Sequence, residues 1–527
     1  MKNIKSKVRI LTSIAAVAMV VNATSCSDFL DQESQIALKE EDVFNDIENI
    51  APLVDGLYTT YRNLRAGREG LMINLGTDES QQGNFQLISE MEQSGMDKYN
   101  GLLSPTSPQV AAIWSKRWPV VSTAAKAIDV LGLLKQTDEV KVLTSEAHFF
   151  RALAMFELSM FFGEIPIVDI ARVTDAKRRP LSEVWTYIIE DFKLAANNLP
   201  ATHINKKRAT SGAAWAMLGK AYMSAPEASG LRDYAKAKGA FEQMMERYSL
   251  VPSYAILFAN DRTPDVFQSN TSESIFELQF NNIWPDVNYW EFDCGSRAVD
   301  AYFGQGCYFS GYDLLLPTPF AYKPLADGGI WEDGDQRKEV NLRYDFTYNG
   351  VTPDLSKTSW TETTDELEPH IRKFEDIRTD KDHGSIANMW NSGKNHPLIR
   401  LADIYLLYAE CLYRTGATGA EGDHFAYVQK VRNRAFGGIA PAMPQTSGDF
   451  IKDLMDERVR ELCFEGWRRL DLLRTDLFVE LVSKRNKWTN QEHGGANIPD
   501  FYMRWPIPDD EIKTNDDMGA GDQNPGY

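Results

Sequence analysis

Apolar residues recur at helical spacing through most of the chain and lose that spacing in one long central stretch. The strongest run is EAHFFRALAMFELSMFFGEIPIV, Glu146 to Val168, in which Phe150, Leu153, Phe156, Leu158, Phe161 and Phe162 cover one broad apolar face. Gly163 and Pro166 stop it, since glycine accepts the left-handed turn at a helix end and proline cannot continue the ladder. The same reading predicts amphipathic helices over Leu181–Leu199, Thr210–Met223 and Tyr234–Glu246, joined by short polar links. Upstream, Glu41–Leu64 reads as a helix followed by a second half-periodic stretch, and Val110–Leu134 as another helix.

Between Asp261 and His396 the period gives way to proline, glycine, asparagine and aromatics, which predicts short strands and long loops. A loop-rich stretch of this length inside a helical chain points to recognition rather than scaffolding. Helical spacing then returns. LIRLADIYLLYAECLYRTGA places Leu401, Ile404, Tyr408, Cys411 and Leu412 on one face, and DFIKDLMDERVRELCFEGWRRLDLLRTD reads as two helices broken at Gly466. Helices joined by short turns suggest stacked hairpins, although no strict period of about 34 residues is visible. The expected fold class is mostly α: a tetratricopeptide-like helical-hairpin scaffold with a long loop-rich, short-strand insertion. The expected segments are 1–25, 26–260, 261–395 and 396–527, with one globular unit from residue 26 onward.

The first segment has its own logic. Lys2, Lys5, Lys7 and Arg9 precede an apolar run from Ile10 to Val21, and small Ala23, Thr24 and Ser25 precede Cys26. The run is too short to span a bilayer, which takes roughly 20 apolar residues, and fits the core of an export signal. Small residues before a cysteine suit a lipoprotein signal peptidase, so residues 1–25 are expected to be removed and Cys26 to become the acylated anchor. An ordinary secretory signal with a nearby cysteine is the plainer alternative.

The 527-residue chain carries a net charge of −19, and loss of the four basic residues of the signal deepens it. Such a balance repels phosphate backbones and excludes nucleic acid as an expected partner. Cys411 and Cys463 sit in apolar helical stretches as small hydrophobes, and Cys294 and Cys307, in a Gly-rich aromatic segment, either pair outside the cytosol or stay free. None has CxxC spacing, so no zinc or redox site is expected.

Catalytic signatures are missing: there is no HExxH, GxSxG or Walker-type loop, and the seven histidines lack metal-ligand spacing. No carboxylate run approaches a calcium loop. Two of Glu457, Glu461 and Glu465 could be taken as the paired acid and base of a glycosidase, but Glu457 with Arg460 and Arg458 with Glu461 read better as ion pairs along a helix surface. Asp403, Glu410 and Arg400 read as capping and inter-helix salt bridges, and His148 as a packed or capping histidine. No cofactor, metal or enzyme activity is expected.

The positive signal is aromatic. A sugar ring offers a flat C–H face edged with hydroxyls, which a tyrosine or tryptophan face with nearby polar side chains complements. Trp284, Tyr289, Trp290, Tyr302, Tyr308 and Tyr312 crowd a segment that also holds Asn281, Asn282, Asp286, Asn288 and Arg297. Each ring alone is better explained by packing, but the group is expected to present at least one ring to ligand. A second contributor is the polar loop LGTDESQQGNFQLISEMEQSGMDKYNGL, with Asp78, Asn84, Phe85 and Tyr99.

Several segments, in this order, carry a family resemblance: CSDFLD, EAHFFRALAMFELSMFFGEIPIV, DGDQR, IRLADIYLLYAE, RNRAF, DERVRELCFEGWRRLDLLR, RWPIPDDEI and QNPGY. Together they resemble the SusD/RagB family of surface nutrient-binding lipoproteins over nearly the whole mature chain. The resemblance implies a protein on the outer leaflet of the outer membrane, capping a TonB-dependent transporter of the SusC type. It implies binding of glycans, or in some members of peptides or other nutrients, without catalysis. It also implies that Asp78 precedes a ligand-reaching loop, that Asp28 and Asp31 mark surface export, and that Trp114 and Trp118 belong to the scaffold. Residues 261–395 match no motif for a particular ligand. A helical-repeat lipoprotein that binds peptide or protein is the alternative function.

Overall fold

Successive helices stack in chain order because each carries apolar surface that its neighbours cover. In this computed structural model, residues 46–527 are described apart from 84–94, 100, 170–174, 204–206, 259–267, 282, 297–310, 353–366, 377–391, 418–422, 487 and 490–496. The chain divides into two compact units, residues 1–51 and 52–527. Among the described residues no helix is long and apolar enough to cross a membrane.

Helix Trp118–Gly132 packs on Asp138–Phe162, which packs on Leu181–Asn198, then Ser211–Ser224, then Tyr234–Glu242. The expected helices at 181–199, 210–223 and 234–246 thus stand within a few residues of their predicted ends. The mostly α, tetratricopeptide-like reading holds. Two expectations need correction. Val110–Leu134 is two helices, Pro108–Ser115 and Trp118–Gly132, because Pro119 lacks an N–H and sits only at a helix start. Helix Asp138–Phe162 is buried on all sides from Phe149 onward, not on one face, since neighbours flank it and Trp505 stacks on Phe161 at 4.7 Å. Gly163, at φ 80°, ends it in a conformation that other residues adopt only at a cost.

Helix Tyr234–Glu242 also packs directly on Leu401–Arg414, which in turn packs on His424–Ala435 and Phe450–Leu462. The stretch between them is therefore an excursion from the helical stack. Its way out and its way back are held by one antiparallel pair, Ser274–Leu278 with His396–Arg400, in register Ser274 to Arg400 and Leu278 to His396. Two shorter pairs, Ser80–Gln82 with Leu315–Pro317 and Leu342–Arg343 with His370–Ile371, pin its middle. Gly466, at φ 86°, breaks Phe450–Leu462 from Arg468–Arg474 as expected.

The charged C-terminal motif is buried, not a surface stripe. Glu457 does meet Arg460, at 3.0 Å, but also meets Arg337 at 2.8 Å and Arg432 at 2.7 Å. Arg458 turns away from Glu461 to Asp403 at 2.8 Å and Asp471 at 2.7 Å, while Glu461 is held by Arg434 and Arg400. Glu465 takes Lys373 at 2.7 Å and Arg400 at 2.9 Å. Burial works to raise the Glu461 pKa, but Arg434, Arg400 and Arg337 outweigh it and hold the carboxylate well below its usual range. The surface-pair scale of about 0.2–0.5 kcal/mol does not apply to such a network, in which losing one partner costs about 3–5 kcal/mol. These glutamates are consumed by structure.

Candidate functional site

A cleft of about 270 Å³ opens where the first described helix, Ile47–Ala66, meets the Ser274–Leu278 strand. The helix contributes Asp55, Tyr58, Thr59 and Arg62, at the i, i+3, i+4, i+7 spacing that puts four side chains on one face. The strand contributes Phe276, and the chain beyond it Gln279, Phe280 and Asn281. The strand pair is irregular at Ser274–Phe276 and Phe276–Glu277, and such bulges re-aim side chains; Phe276 and Glu277 both line the cleft.

The floor is aromatic. Tyr58 meets Phe150 edge to face at 4.6 Å, and Phe276 lies within 6.3 Å of both rings. The backbone N–H of Ala209 donates to the Tyr58 hydroxyl at 2.9 Å. Burial and the charge of Glu146 keep that phenol protonated well above its usual range. The Arg208 guanidinium lies over the Tyr58 ring at 5.1 Å and is held by Glu146, through Nε at 2.7 Å, and by Asp55. Arg62 pairs with Asp286 and lies 5.8 Å from the Phe280 centroid. The rim is thus polar and its arginines are charge-matched.

A tight turn rises at one edge. Asn281 Oδ1 accepts from the Ile283 N–H at 2.8 Å, the Asp286 N–H donates to the Ile283 carbonyl at 2.9 Å, and the Asn281 N–H donates to the Asp286 carbonyl at 2.9 Å. The Trp284–Pro285 bond inside it is cis. Both ends of the turn, Asn281 and Asp286, line the cleft, and its tip exposes Trp284 and Ile283, each 70% accessible. A large exposed ring beside a pocket marks an interaction surface more readily than a scattered one does.

The other expected ligand residues divide. Asn84, Phe85, Tyr302 and Tyr308 lie outside the described residues, as do Asn282, Arg297, Cys26 and Cys307. Tyr289 is half-buried at the start of helix Trp290–Cys294. Three are corrected. Trp290 is 1% exposed, edge-on to Phe374 at 4.8 Å and to His396 at 4.5 Å, so neither face is available. Tyr99 is buried, its hydroxyl donating to the Gly76 carbonyl and its ring edge-on to Tyr502 at 5.3 Å. Asp78 is fully buried and bound by Arg468 and Arg485. The rings were expected to stack on sugar and Asp78 to precede a ligand-reaching loop; here each is a strut. Tyr312 is also partly covered, against Phe292 at 4.0 Å and under Arg68 at 5.2 Å. Cys294 is a buried free thiol. His148 bonds Asp191 at 2.6 Å, in keeping with a packing role.

Sequence reasoning missed Tyr58, Arg62, Arg208 and Phe276. The readable signal was the Asp55, Tyr58, Thr59, Arg62 spacing, a polar and aromatic face inside an otherwise amphipathic helix. Among the described residues no three His, Cys, Asp or Glu side chains come together as metal ligands.

Comparison with known proteins decides the family. A family model described as "SusD family" matches residues 302–527, and one described as "Starch-binding associating with outer membrane" matches residues 28–223. The chain belongs to the SusD/RagB family. It is 24% identical over 541 residues to SusD-like protein P2 of Formosa agariphila, covering 98% of this chain and 99% of that one. It is 25% identical over 423 residues to the starch-binding protein SusD of Bacteroides thetaiotaomicron, covering 73% and 72%. A solved laminarin-binding SusD-like protein superposes with a TM-score of 0.71 at 21% identity, over 92% of this chain and all of that one. Likeness at that identity carries the fold.

Proposed function

We propose that this protein is a cell-surface glycan-binding lipoprotein, held to the outer membrane through Cys26, that captures oligosaccharide and passes it to a SusC-like TonB-dependent transporter. The observation that carries the binding part is the pairing of an exposed tryptophan turn with an aromatic-floored, charge-matched cleft, which offers a sugar both a stacking face and hydrogen-bond partners. Relatives described as starch-binding and laminarin-binding support the ligand class. The family description of association with the outer membrane supports the location. The export pattern ending at Cys26 supports the anchor, and the family resemblance supports the transporter partner.

Binding without turnover follows from this reading, because the buried glutamates of the C-terminal motif are bound by arginines and lysine. The test is affinity electrophoresis of the purified protein through gels containing starch or laminarin, with reducing ends assayed in parallel. Retardation without new reducing ends is the expected result. Free migration in a broad panel of neutral and acidic polysaccharides would overturn it.

A further inference from the structure

A second cavity, of about 400 Å³, adjoins the first. Arg208, Phe276 and Glu277 line both, so the two meet at one waist rather than lying apart. Their walls differ. The first has the aromatic floor, whereas the second is edged by the hydroxyls of Thr202, Thr210, Tyr248, Ser249, Thr271 and Ser272.

The charged groups at the waist are both engaged. Arg208 is held by Glu146 and Asp55, and its guanidinium covers Tyr58. Glu277 is tied down by the Asn270 N–H at 2.9 Å and by Asn395 at 3.1 Å, and burial raises its pKa above the ordinary carboxyl range. Neither group is left as a free charge for an ionic ligand. Arg247, exposed at the second cavity's rim, donates to the Ser211 hydroxyl at 2.9 Å.

We infer that the two cavities form one groove for consecutive units of a single neutral, hydroxyl-rich chain, with Arg208 and Phe276 at the waist. The inference rests on the glycan-binding reading above and extends it to chain length and charge. Size is compatible: pockets that hold small ligands span about 300–1,000 Å³, the first cavity falls just short of that range by itself, and both the second cavity and the joined groove lie within it. Chemistry supports it too: hydroxyls edge a second cavity whose wall is otherwise largely apolar, the mix of hydrogen-bond partners and C–H contact that a sugar takes. Among that cavity's arginines and carboxylates, with Arg208 and Glu277 already engaged at the waist, only Arg247, at the far rim, offers a charge to an anionic chain.

The experiment is calorimetry on the full-length protein in detergent with laminari- and malto-oligosaccharides of two to eight units. Affinity is expected to rise about tenfold or more from the shortest chains to those long enough to cross the waist, then to level off. Ser272→Trp and, independently, Ser249→Trp fill the second cavity from exposed positions. Each is expected to remove that gain while leaving the shortest chains within about twofold of wild type. Thr59→Trp, in the first cavity, is expected to weaken every length. Raising salt from about 50 to about 500 mM is expected to change affinity less than twofold.

If both second-cavity variants melt as wild type and bind long chains as wild type does, the groove ends at Arg208 and the inference falls while glycan binding stands. If a uronic or sulfated chain binds about tenfold tighter than neutral ones at low salt, the neutral assignment is wrong. If wild type binds no glycan of any class, the functional proposal fails first.

Discussion

Arg468 grips Asp78 with two parallel bonds, Nε at 2.7 Å and Nη2 at 2.6 Å, across 390 residues of sequence. Arg485 adds a third contact at 3.1 Å. Burial works to raise the Asp78 pKa, but Arg468 and Arg485 overcome it and lower the value. The pair ties the region before the early loop to the C-terminal helices. Asp78→Ala is therefore expected to cost about 3–5 kcal/mol, the scale for removing one partner of a buried pair. Thermal melts would register a large drop, with the glycan affinity of the remaining folded protein unchanged. A normal melt with lost affinity would return Asp78 to the ligand site.

Asp78 also shows where sequence legibility ends. Helix positions were readable where burial repeats at fixed spacing, as in Leu181–Asn198, where Val184, Ile188, Phe192 and Ala195 fall on the buried face. A lone carboxylate in a polar stretch carries no such period, and its partner Arg468 lies too far along the chain for any local pattern to reveal the pairing. The same holds for Trp284 and Trp290, six residues apart with one ring exposed and the other enclosed. Composition crowded them together. The difference came from Phe374 and His396, which close over Trp290 from across the insertion. The cleft itself was hidden because its two sides, Tyr58 and Phe276, are far apart in sequence.

Trp284 and Trp290 should therefore respond oppositely. Trp284→Ala is expected to weaken oligosaccharide binding about tenfold, one stacking face being on the scale of 1–2 kcal/mol, and to leave the thermal transition nearly in place. Trp290→Ala opens a cavity in packed core and is expected to cost about 3–5 kcal/mol. Calorimetry and melting of both variants check this. A collapse in Tm for Trp284→Ala would mean that the turn is structural.

Tyr58→Phe probes the cleft floor with little change of shape. The variant removes the hydroxyl that accepts from the Ala209 N–H and keeps the ring under Arg208. A buried donor left without its acceptor costs about 1–3 kcal/mol, so a modest stability loss is expected. Oligosaccharide affinity is expected to stay within about threefold if stacking and shape rather than this hydroxyl make the floor. Loss of all binding would assign the hydroxyl itself to ligand.

Cys26→Ala is expected to leave the protein folded but free of the membrane. Several acyl chains, each contributing about 0.8 kcal/mol per buried CH₂, would supply the attachment. Among the described residues no helix offers an alternative span. Labelled palmitate should enter the wild type and not the variant, and the variant should move from the membrane fraction to the soluble one. Equal labelling of both proteins would place the lipid elsewhere or remove it from the account.

Glu79 gives a pH dependence with a definite sign. Burial, against the pull of Arg468 and with the push of neighbouring Asp78, raises its carboxyl from the ordinary 4.5 to about 8, and the Phe464 N–H donates to it at 3.1 Å. The folded value lies above the unfolded one, so the folded state binds the proton more tightly. The stability this contributes is fully present below about pH 4.5 and is lost as the pH rises through about 8. Glu79→Gln keeps the size and the carbonyl that accepts from Phe464 but stays neutral at every pH. Asp293, raised by burial to about 6, titrates in the same window and is common to both proteins, so it cancels in the difference. The gap in Tm between Glu79→Gln and wild type should therefore move in favour of the variant between about pH 5 and about pH 8. Parallel melting curves across that range would mean that Glu79 titrates at its ordinary value and that its burial is relieved in solution.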